Sequence, residues 1–409
     1  MKGINSLLMI FTLSVFASVM VVGIDRVASI AGTGHNRLNQ IIFLSKSAEI
    51  VGDCNSDPGT IRFWSSEDGT LKRVVQLDEN QFSSSIAVSS DENLLAVGTF
   101  KVKLRRGPAM GWGTVERSVR CYSIADQRWL WETKVTDTIG DCAGCDLETV
   151  FSPDNERIFT AGGKYVTICS VKTGAILQER KDPLSRYPLS TYSMKKGKVF
   201  SPSGRYLVVW QEKPIPGHEI VGGLFVSKKV TVWDIEKDKM VSSWKKDKPI
   251  CSAVFSLDER RILFTSMDGH VRIWNLEEQR VEREWMALSR GQNPSATVQI
   301  TTVPAISSDS KVLATFGDQE VRFGVRIWDY PTGHLAHDFP KTAFMCEFCG
   351  DYAMTFTKDG RGIAFQNWGD LCLYGMQTWE AKWCVPTWPE DDGKSGRSKD
   401  RPGKQFVIK

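Results

Sequence analysis

The stretch of sequence that decides the fold reads CSAVFSLDERRILFTSMDGHVRIWNLEEQRVEREW and runs from Cys251 to Trp285. It holds four short runs with the alternation typical of strands, and turn-forming residues separate them. These runs cover residues 251–256, 260–266, 270–275 and 280–286. Ile262 and Trp274 are examples of the β-branched and aromatic side chains that suit a pleated, half-buried surface. Because one four-stranded unit cannot bury its own faces, the pattern predicts neighbouring units of the same kind.

The same pattern recurs along nearly the whole chain. The first strand and the turn after it are recognisable in segments 41–52, 86–98, 149–162, 198–210, 253–266, 305–317 and 354–367. A Ser or Thr opens this turn at positions 89, 152, 201, 256, 307 and 357. The third strand recurs as clearly, for example as VTVWDIEKD, VRIWNLEEQ and VRIWDYPTG. The repeats predict a closed all-β array of seven four-stranded units.

The residues that close the third strands carry a family resemblance. They include Trp64, Trp233–Asp234, Trp274–Asn275 and Trp328–Asp329, with Asp268–Gly269 in a preceding turn. The chain resembles WD40-repeat β-propellers, and the resemblance implies a seven-bladed β-propeller of four-stranded antiparallel blades over residues 24–386. It also gives Trp64, Trp233, Asp234, Asp268, Trp274, Trp328 and Asp329 structural roles in the repeat. The Gly-His dipeptide of the family is missing almost throughout, so we expect the Asp–His–Ser/Thr–Trp hydrogen-bond tetrad to be incomplete in most blades.

The two ends of the chain differ from this repeat. Residues 1–23 contain Lys2 and an apolar run from Leu7 to Val22, which is shorter than the roughly 20 residues of a membrane-spanning helix. The run suits a cleaved secretory signal peptide, which predicts an exported protein in the periplasm, the extracellular space or the secretory pathway. An uncleaved membrane anchor and a buried N-terminal element are the alternatives. Residues 387–409 are polar and basic and are predicted to form a disordered tail.

Long insertions fall in only two classes of connection. Three lie between the second and third strands, at 101–117, 211–229 and 318–324, and four precede a first strand, at 135–146, 181–197, 287–302 and 341–352. In a four-stranded meander both classes emerge on the same side. Insertions confined to one side of a repeat array mark its binding face. Neutral drift of loop length is the alternative explanation.

The insertion at 101–117 is the sharpest candidate for partner binding, because basic residues surround a tryptophan in a Gly-rich loop. Arg and Trp are enriched where interfaces derive most of their affinity. The candidate partner-binding residues are Lys103, Arg105, Arg106, Trp112 and Arg117, to which the insertion at 211–229 adds His218 and Phe225. The alternative is a solvated hairpin whose Trp112 only caps the blade beneath it.

Ten cysteines include two CxxC pairs, Cys142–Cys145 and Cys346–Cys349. The pairs belong to blades three and seven, which are well apart in a ring of seven, so we expect two local disulfides rather than one zinc site. Cysteines 121, 169, 251 and 372 are expected to be small buried residues. Cys54 and Cys384 could pair if the first and last blades meet.

No catalytic motif of a known hydrolase, metalloprotease or nucleotide-binding protein appears in the sequence. The net charge of +4 is too small and too scattered to indicate nucleic-acid binding. We therefore predict a monomeric, non-catalytic scaffold without cofactor or metal, which binds a protein or peptide partner through the face with the long loops. The alternatives are an exported enzyme or small-ligand binder that uses the central channel, similar to quinoprotein or lactonase propellers, and a membrane-attached assembly factor of the cell envelope.

Overall fold

The structure is a computed structural model. It describes residues 38–54, 59–103, 114–139, 147–162, 165–181, 197–210, 229–245, 250–266, 268–287, 305–319, 322–343, 353–367 and 370–387. These residues form seven four-stranded antiparallel sheets, and each sheet is built from four strands that are consecutive in the chain. The predicted all-β, seven-bladed architecture is confirmed. Arg26–Ile30, considered as an extra outer strand, lies outside the described residues.

The first four blades have the following strands. Blade 1 contains β1 (Leu38–Leu44), β2 (Glu49–Cys54), β3 (Thr60–Ser65) and β4 (Leu71–Gln76). Blade 2 contains β5 (Gln81–Val88), β6 (Leu94–Lys103), β7 (Thr114–Ser123) and β8 (Arg128–Ile139). Blade 3 contains β9 (Leu147–Phe151), β10 (Arg157–Gly162), β11 (Tyr165–Ser170) and β12 (Ile176–Lys181). Blade 4 contains β13 (Lys198–Phe200), β14 (Tyr206–Val209), β15 (Lys229–Asp234) and β16 (Lys239–Lys245).

The other three blades complete the ring. Blade 5 contains β17 (Ile250–Phe255), β18 (Arg261–Ser266), β19 (His270–Asn275) and β20 (Arg280–Met286). Blade 6 contains β21 (Ala305–Ile306), β22 (Val312–Gln319), β23 (Arg322–Asp329) and β24 (Leu335–Ala343). Blade 7 contains β25 (Met354–Phe356), β26 (Gly362–Asn367), β27 (Asp370–Gly375) and β28 (Ala381–Pro386).

Several of the predicted insertions are shorter than the sequence suggested; those at 135–146 and 341–352, for example, begin inside strands that end at Ile139 and Ala343. The second and third strands of blade 2 pair as far as Lys103 and Thr114, so the insertion begins later than residue 101. In blade 6, Gln319 pairs with Arg322, which makes most of 318–324 a hairpin rather than a long loop. The sequence alone did not show this, because insertion and strand share the same alternating composition here.

The hydrophobic core lies in the seams between neighbouring blades. Between blades 4 and 5, for example, the rings of Trp244 and Trp274 stack with centroids 4.1 Å apart, and Phe255 and Phe264 belong to the same buried cluster. Burial of apolar surface contributes about 25 cal/mol per Å². Each blade therefore depends on both neighbours, as expected for a unit that cannot bury its own two faces.

The turn between the first and second strands of a blade, here the inner turn, explains the repeated Ser or Thr. In blade 5 the Oγ of Ser256 accepts a hydrogen bond from the Arg261 amide (3.0 Å) and donates one to Asp258 (2.5 Å). Glu259 takes the left-handed conformation, with φ of 57°. The same hydroxyl–carboxylate pair closes the inner turns of blades 2, 3, 6 and 7.

Inner turns of neighbouring blades are also joined to each other around the axis. The carboxylate of Glu92 in blade 2 accepts hydrogen bonds from the Ser45 hydroxyl (2.6 Å) and the Lys46 amide (2.7 Å) of blade 1. It also accepts one from Lys358 Nζ of blade 7 (3.3 Å). Ser90 and Asn155 link blades 2 and 3 by two hydrogen bonds of 2.9 Å. The inner turns thus form a network on one side of the disc.

Every blade carries a β-bulge in its outer strand, opposite the residue that closes the third strand. In blade 1, Phe63 pairs with Arg73 but Trp64 pairs with Leu71, so Lys72 is the extra residue. A bulge bends the strand and increases its twist. Because edge strands present unpaired backbone groups, this distortion discourages pairing with other chains.

Blades 7 and 1 close the ring without sharing a strand among the described residues. Gln366 of blade 7 accepts a hydrogen bond from the Leu38 amide, where blade 1 begins (3.2 Å). Arg62 of blade 1 donates to the carbonyl of Thr387, where blade 7 ends. Trp383 donates to the Ser66 carbonyl (3.0 Å), and it packs so closely on blade 1 that a Cβ at Gly69 would lie 2.7 Å from its ring.

We expect Ser256→Ala to lower the free energy of unfolding by about 1–3 kcal/mol, because it leaves the amide of Arg261 without its acceptor. Ser256→Thr should cost much less, because Thr357 fills the equivalent position in blade 7. Urea unfolding of the two variants measures the difference. Equal stability of the Ala and Thr variants would contradict this role of the hydroxyl.

The inner-turn carboxylates also predict a pH dependence. Hydrogen bonds from Ser307 and Thr357 hold the pKa of Asp309 and Asp359 below the usual range. A carboxyl with a lowered folded-state pKa stabilises the protein above its unfolded pKa of about 3.9, and this contribution is lost as the pH falls through the folded value. Stability should therefore fall more steeply below about pH 4 in wild type than in Asp309→Asn/Asp359→Asn. Unfolding curves from pH 3 to 6 would test this, with Glu278→Gln as an exposed control.

Candidate functional site

The disc has two different faces. One, the turn face, carries the inner turns and the turns between third and fourth strands, all of which belong to the described residues. The other, the loop face, carries the remaining strand ends. The connections between strand ends on this face include residues 104–113, 140–146, 182–196, 211–228, 288–304 and 344–352. Connections on the turn face have four or five residues, whereas those on the loop face vary widely in length.

Blade 2 extends furthest towards the loop face. Its β6 and β7 have ten residues each and β8 has twelve, whereas β18 and β19 of blade 5 have six. Four additional strand residues correspond to roughly 13 Å at the usual rise per residue. The candidate insertion thus leaves and re-enters a sheet that projects beyond its neighbours at Lys103 and Thr114.

Only part of the predicted partner-binding set lies in the described residues. Lys103 ends β6 opposite Thr114. Arg105, Arg106, Trp112, His218 and Phe225 lie outside the described residues, and they stay predictions.

Arg117 is not one of a group of exposed basic residues around Trp112, contrary to the prediction from the sequence. It lies in β7 opposite Phe100 and Val135 and is only 3% exposed, because the extended sheet of blade 2 packs against blade 3 at this point. With Thr160 and Tyr165 of blade 3 it lines a small recess in the seam. The prediction that Arg117 is an exposed contact residue is therefore wrong.

A row of buried arginines was missed in the sequence. Each stands two residues before the aromatic residue that closes the third strand, and each is 8% exposed. The row consists of Arg62, Arg120, Arg272 and Arg326. The sequence signal was available, since RFW, RCY, RIW and RIW recur at equivalent places. We did not interpret it, because a lone arginine in a strand is usually an exposed residue.

Most of these arginines hold the outer strand of their own blade. Arg272 pairs with Glu284 at 2.8 Å across β19 and β20. Arg326 pairs in the same way with Asp338 at 3.3 Å across β23 and β24. In blade 2, Glu132 occupies the position opposite Arg120, with 3.9 Å between the charged groups.

The arginine of blade 2 belongs to a larger polar network below the loop face. Gln81 accepts a hydrogen bond from Arg120 (2.9 Å) and donates to Thr99 (2.9 Å) and to Glu132 (3.1 Å). The Arg120 guanidinium also lies 4.2 Å from the centre of the Trp129 ring. These hydrogen bonds connect all four strands of the blade and favour one arrangement of them.

Asp268, predicted to be structural, anchors the equivalent arginine in blade 5. Its carboxylate accepts hydrogen bonds from Arg272 (2.7 Å) and from Ser266 (2.7 Å). Burial disfavours the charged form, but these hydrogen bonds outweigh it, and the pKa of Asp268 lies well below its usual range. The group is therefore a carboxylate whose oxygen atoms are occupied, which does not suit general-base chemistry.

The tryptophans that close the third strands lie in the seams. Trp64, Trp274 and Trp328 are at most 8% exposed, and Trp233 is half-buried. Trp328 donates a hydrogen bond to Thr315 (2.9 Å), which corresponds to the Ser/Thr–Trp link of the Asp–His–Ser/Thr–Trp tetrad. The indole nitrogen of Trp274 has no hydrogen-bond partner among the described residues. The stabilisation of these blades thus rests mainly on seam packing.

Two aspartates that close third strands bind backbone amides in the turns between third and fourth strands, here called the outer turns. Asp234 accepts a hydrogen bond from the Lys237 amide (2.9 Å), and Asp329 accepts one from the Thr332 amide (2.8 Å). Short polar side chains that bind the backbone two or three residues ahead favour turns. Both aspartates therefore fix the reversal that leads into the outer strand.

The described cysteines agree with the predictions in part: Cys121 and Cys169 are buried as predicted, but Cys372 and Cys384 are paired. Cys372 is bonded to Cys384, which lies directly opposite it across β27 and β28. The suggested Cys54–Cys384 pair is therefore wrong, since Cys54 is a free buried thiol, and Cys372 is not a free thiol. Cys121 and Cys169 are free and buried. Cys142, Cys145, Cys346 and Cys349 lie outside the described residues.

The described part of the chain shows no group of three His, Cys, Asp or Glu side chains placed to hold a metal ion. It also contains no helix of the length and apolar character needed to cross a membrane.

Comparison with known proteins identifies the fold but not the family. No protein-family model matches the chain, and no curated protein matches its sequence. Among solved structures, the crystal structure of the β-propeller domain of Cps50 (Swd1) from Myceliophteria thermophila is similar. The similarity covers 81% of this chain and 93% of that domain, with 12% sequence identity and a TM-score of 0.54. The protein therefore has a seven-bladed, WD40-like β-propeller fold.

We expect Arg272→Met to lower the free energy of unfolding by roughly 3 kcal/mol, because it leaves two carboxylates without their partner. In a double-mutant cycle with Asp268→Asn, the two losses should be less than additive by about 1–3 kcal/mol. Urea unfolding of the wild type, the single variants and the double variant measures this coupling. Additive losses would contradict the coupling of Arg272 to Asp268.

Proposed function

We propose that this protein is an exported, non-catalytic interaction scaffold that binds a protein or peptide partner through the loop face. The observation that carries the proposal is the difference between the two faces. On the turn face, short turns use their polar groups in hydrogen bonds within a blade and between blades. On the loop face, the connections vary in length and blade 2 projects.

A rigid disc with one variable face suits recognition. Binding loses less conformational entropy when the recognition residues stand on a scaffold that is already ordered. The seams and the inner-turn network supply that rigidity here. The buried arginines also support a scaffold, since their charges are used to hold outer strands.

The disulfide in blade 7 supports the proposed export. Disulfides persist in oxidising compartments and are rare in the cytosol of mesophilic organisms. Cys372–Cys384 thus agrees with the secretory signal proposed for residues 1–23. We further propose that the protein acts as a monomer without a cofactor. The similar Cps50 (Swd1) domain is described by its fold, and this likeness supports only a propeller that can present an interaction face.

The test compares two glutamates on opposite faces. Glu79 lies exposed between β4 and β5 on the loop face, and Glu278 lies exposed in the outer turn of blade 5 on the turn face. A photo-crosslinking amino acid at either position is a matched substitution. In native cells we expect discrete protein adducts from position 79 and few or none from position 278.

A second variant tests whether the adducts depend on the insertion at residues 104–113. Replacing residues 104–113 by a short Gly-Ser turn should abolish the adducts at position 79 and leave the thermal melt unchanged. Equal adducts from the two faces, or adducts only from position 278, would contradict the proposed binding face. Adducts that persist after the replacement would show that residues 104–113 are not the contact with the partner.

A further inference from the structure

The disulfide of blade 7 occupies a repeated position in the propeller. Cys372 stands two residues before Tyr374, which closes the third strand, and this is the place of the buried arginine in four other blades. Its cross-strand partner Cys384 stands where blades 2, 5 and 6 have an acidic residue. Blade 7 therefore holds its outer strand by a covalent bond at the position where other blades use an ion pair.

The outer strand of blade 7 makes contacts with blade 1 that help to close the ring. It ends next to Thr387, whose carbonyl is bound by Arg62 of blade 1 and whose hydroxyl accepts a hydrogen bond from Gln366 (3.2 Å). It also contains Trp383, adjacent to the disulfide, which binds the Ser66 carbonyl of blade 1 (3.0 Å). Two of the contacts that close the ring are thus carried by this strand or by the residue that follows it, whereas the Leu38–Gln366 hydrogen bond lies outside it.

The two sulfur-bearing residues differ in their access to solvent. Cys372 is 1% exposed, whereas Cys384 belongs to the exposed residues of β28. A reductant can approach the disulfide from the side of Cys384. The Arg–carboxylate pairs at the equivalent positions of blades 2, 5 and 6 do not respond to reductants. Within the described residues, the outer strand next to the closing seam is therefore the one whose fixation a reductant can remove.

We propose that Cys372–Cys384 is a thiol–disulfide exchange site at which a reducing dithiol loosens the closure between blades 7 and 1. A thiolate of the dithiol attacks Sγ of Cys384, forms a mixed disulfide and expels Cys372 as a thiolate, which takes a proton from water. The second thiol of the dithiol, deprotonated, then attacks the dithiol sulfur that is bonded to Cys384 in the mixed disulfide. Cys384 leaves as a thiolate and takes a proton. Two electrons pass to the protein, and the dithiol becomes a disulfide.

The structural consequence follows from the contacts of β28. Without the covalent bond, this strand is held to β27 by backbone pairing, which a bulge interrupts next to Tyr374. Local opening of an edge strand requires less free energy than global unfolding. When β28 opens, the contacts of Trp383 and Thr387 with blade 1 are lost, and the apolar seam around Trp64 and Leu371 becomes accessible.

The experiment uses the full chain and dithiothreitol as the dithiol, with hydrogen–deuterium exchange read by mass spectrometry. In wild type, we expect dithiothreitol to raise amide exchange in β28 and in residues 64–69 by about tenfold or more, and to leave β19 and β20 unchanged. Cys372→Ala/Cys384→Ala should show the raised exchange without reductant and no further rise in β28 with it. This last comparison separates the site from any other disulfide in the chain.

A second variant replaces the disulfide by the pair of the other blades. Cys372→Arg/Cys384→Glu should show slow exchange in β28 both with and without dithiothreitol, since an ion pair is not reducible. The proposal is overturned if wild-type Cys372 and Cys384 become labelled as thiols while exchange in β28 stays slow. It is also overturned if the disulfide resists dithiothreitol in the native protein, or if exchange rises equally in all blades. The wild type and the Arg/Glu variant suffice for the test if the Ala variant does not fold.

Discussion

The structure depends above all on the seam between its first and last blades. Each sheet is complete in itself, because its four strands are consecutive in the chain. Every other seam joins blades that the chain itself connects, whereas blades 7 and 1 meet through non-covalent contacts in the described part of the chain. Trp383 of blade 7 and Arg62 of blade 1 each bind a backbone carbonyl of the other blade. These contacts, together with the apolar seam beneath them, make a closed ring from a linear array.

The two faces of the disc then acquire different physical characters. Inner turns converge on the axis, where one carboxylate such as that of Glu92 can contact two other blades. Their length is therefore constrained by neighbours as well as by the strands they join. Strand ends on the loop face are also joined between blades, as Leu147 is to Ser84, but the connections that leave them vary widely in length. This difference makes the long connections of the loop face the part of the molecule on which a binding site can be built, apart from the strand ends at Leu38, Arg62 and Thr387 that close the ring.

The fixation of the outer strands is a second repeated constraint. An outer strand has a partner on one side only, and in every blade a bulge weakens its pairing. A cross-strand Arg–carboxylate pair compensates in blades 5 and 6, and a disulfide does so in blade 7. In blade 1 the arginine instead reaches the neighbouring blade, where it supports closure. One position in the repeat thus serves strand fixation, ring closure and, in our proposal, redox sensitivity.

The sequence by itself determined the number of blades, the four strands of each blade and the face to which long connections belong. These features follow from local periodicity and turn chemistry, such as the hydroxyl of Ser256 that satisfies its own turn. Tertiary structure alone decided that Arg117 is buried, that Cys384 pairs with Cys372, and that Gln366 and Arg62 clasp the two ends of the propeller. Periodicity shows which residues alternate along a strand. It does not show how far a sheet extends, which residue stands opposite another, or which distant residues meet when the ring closes.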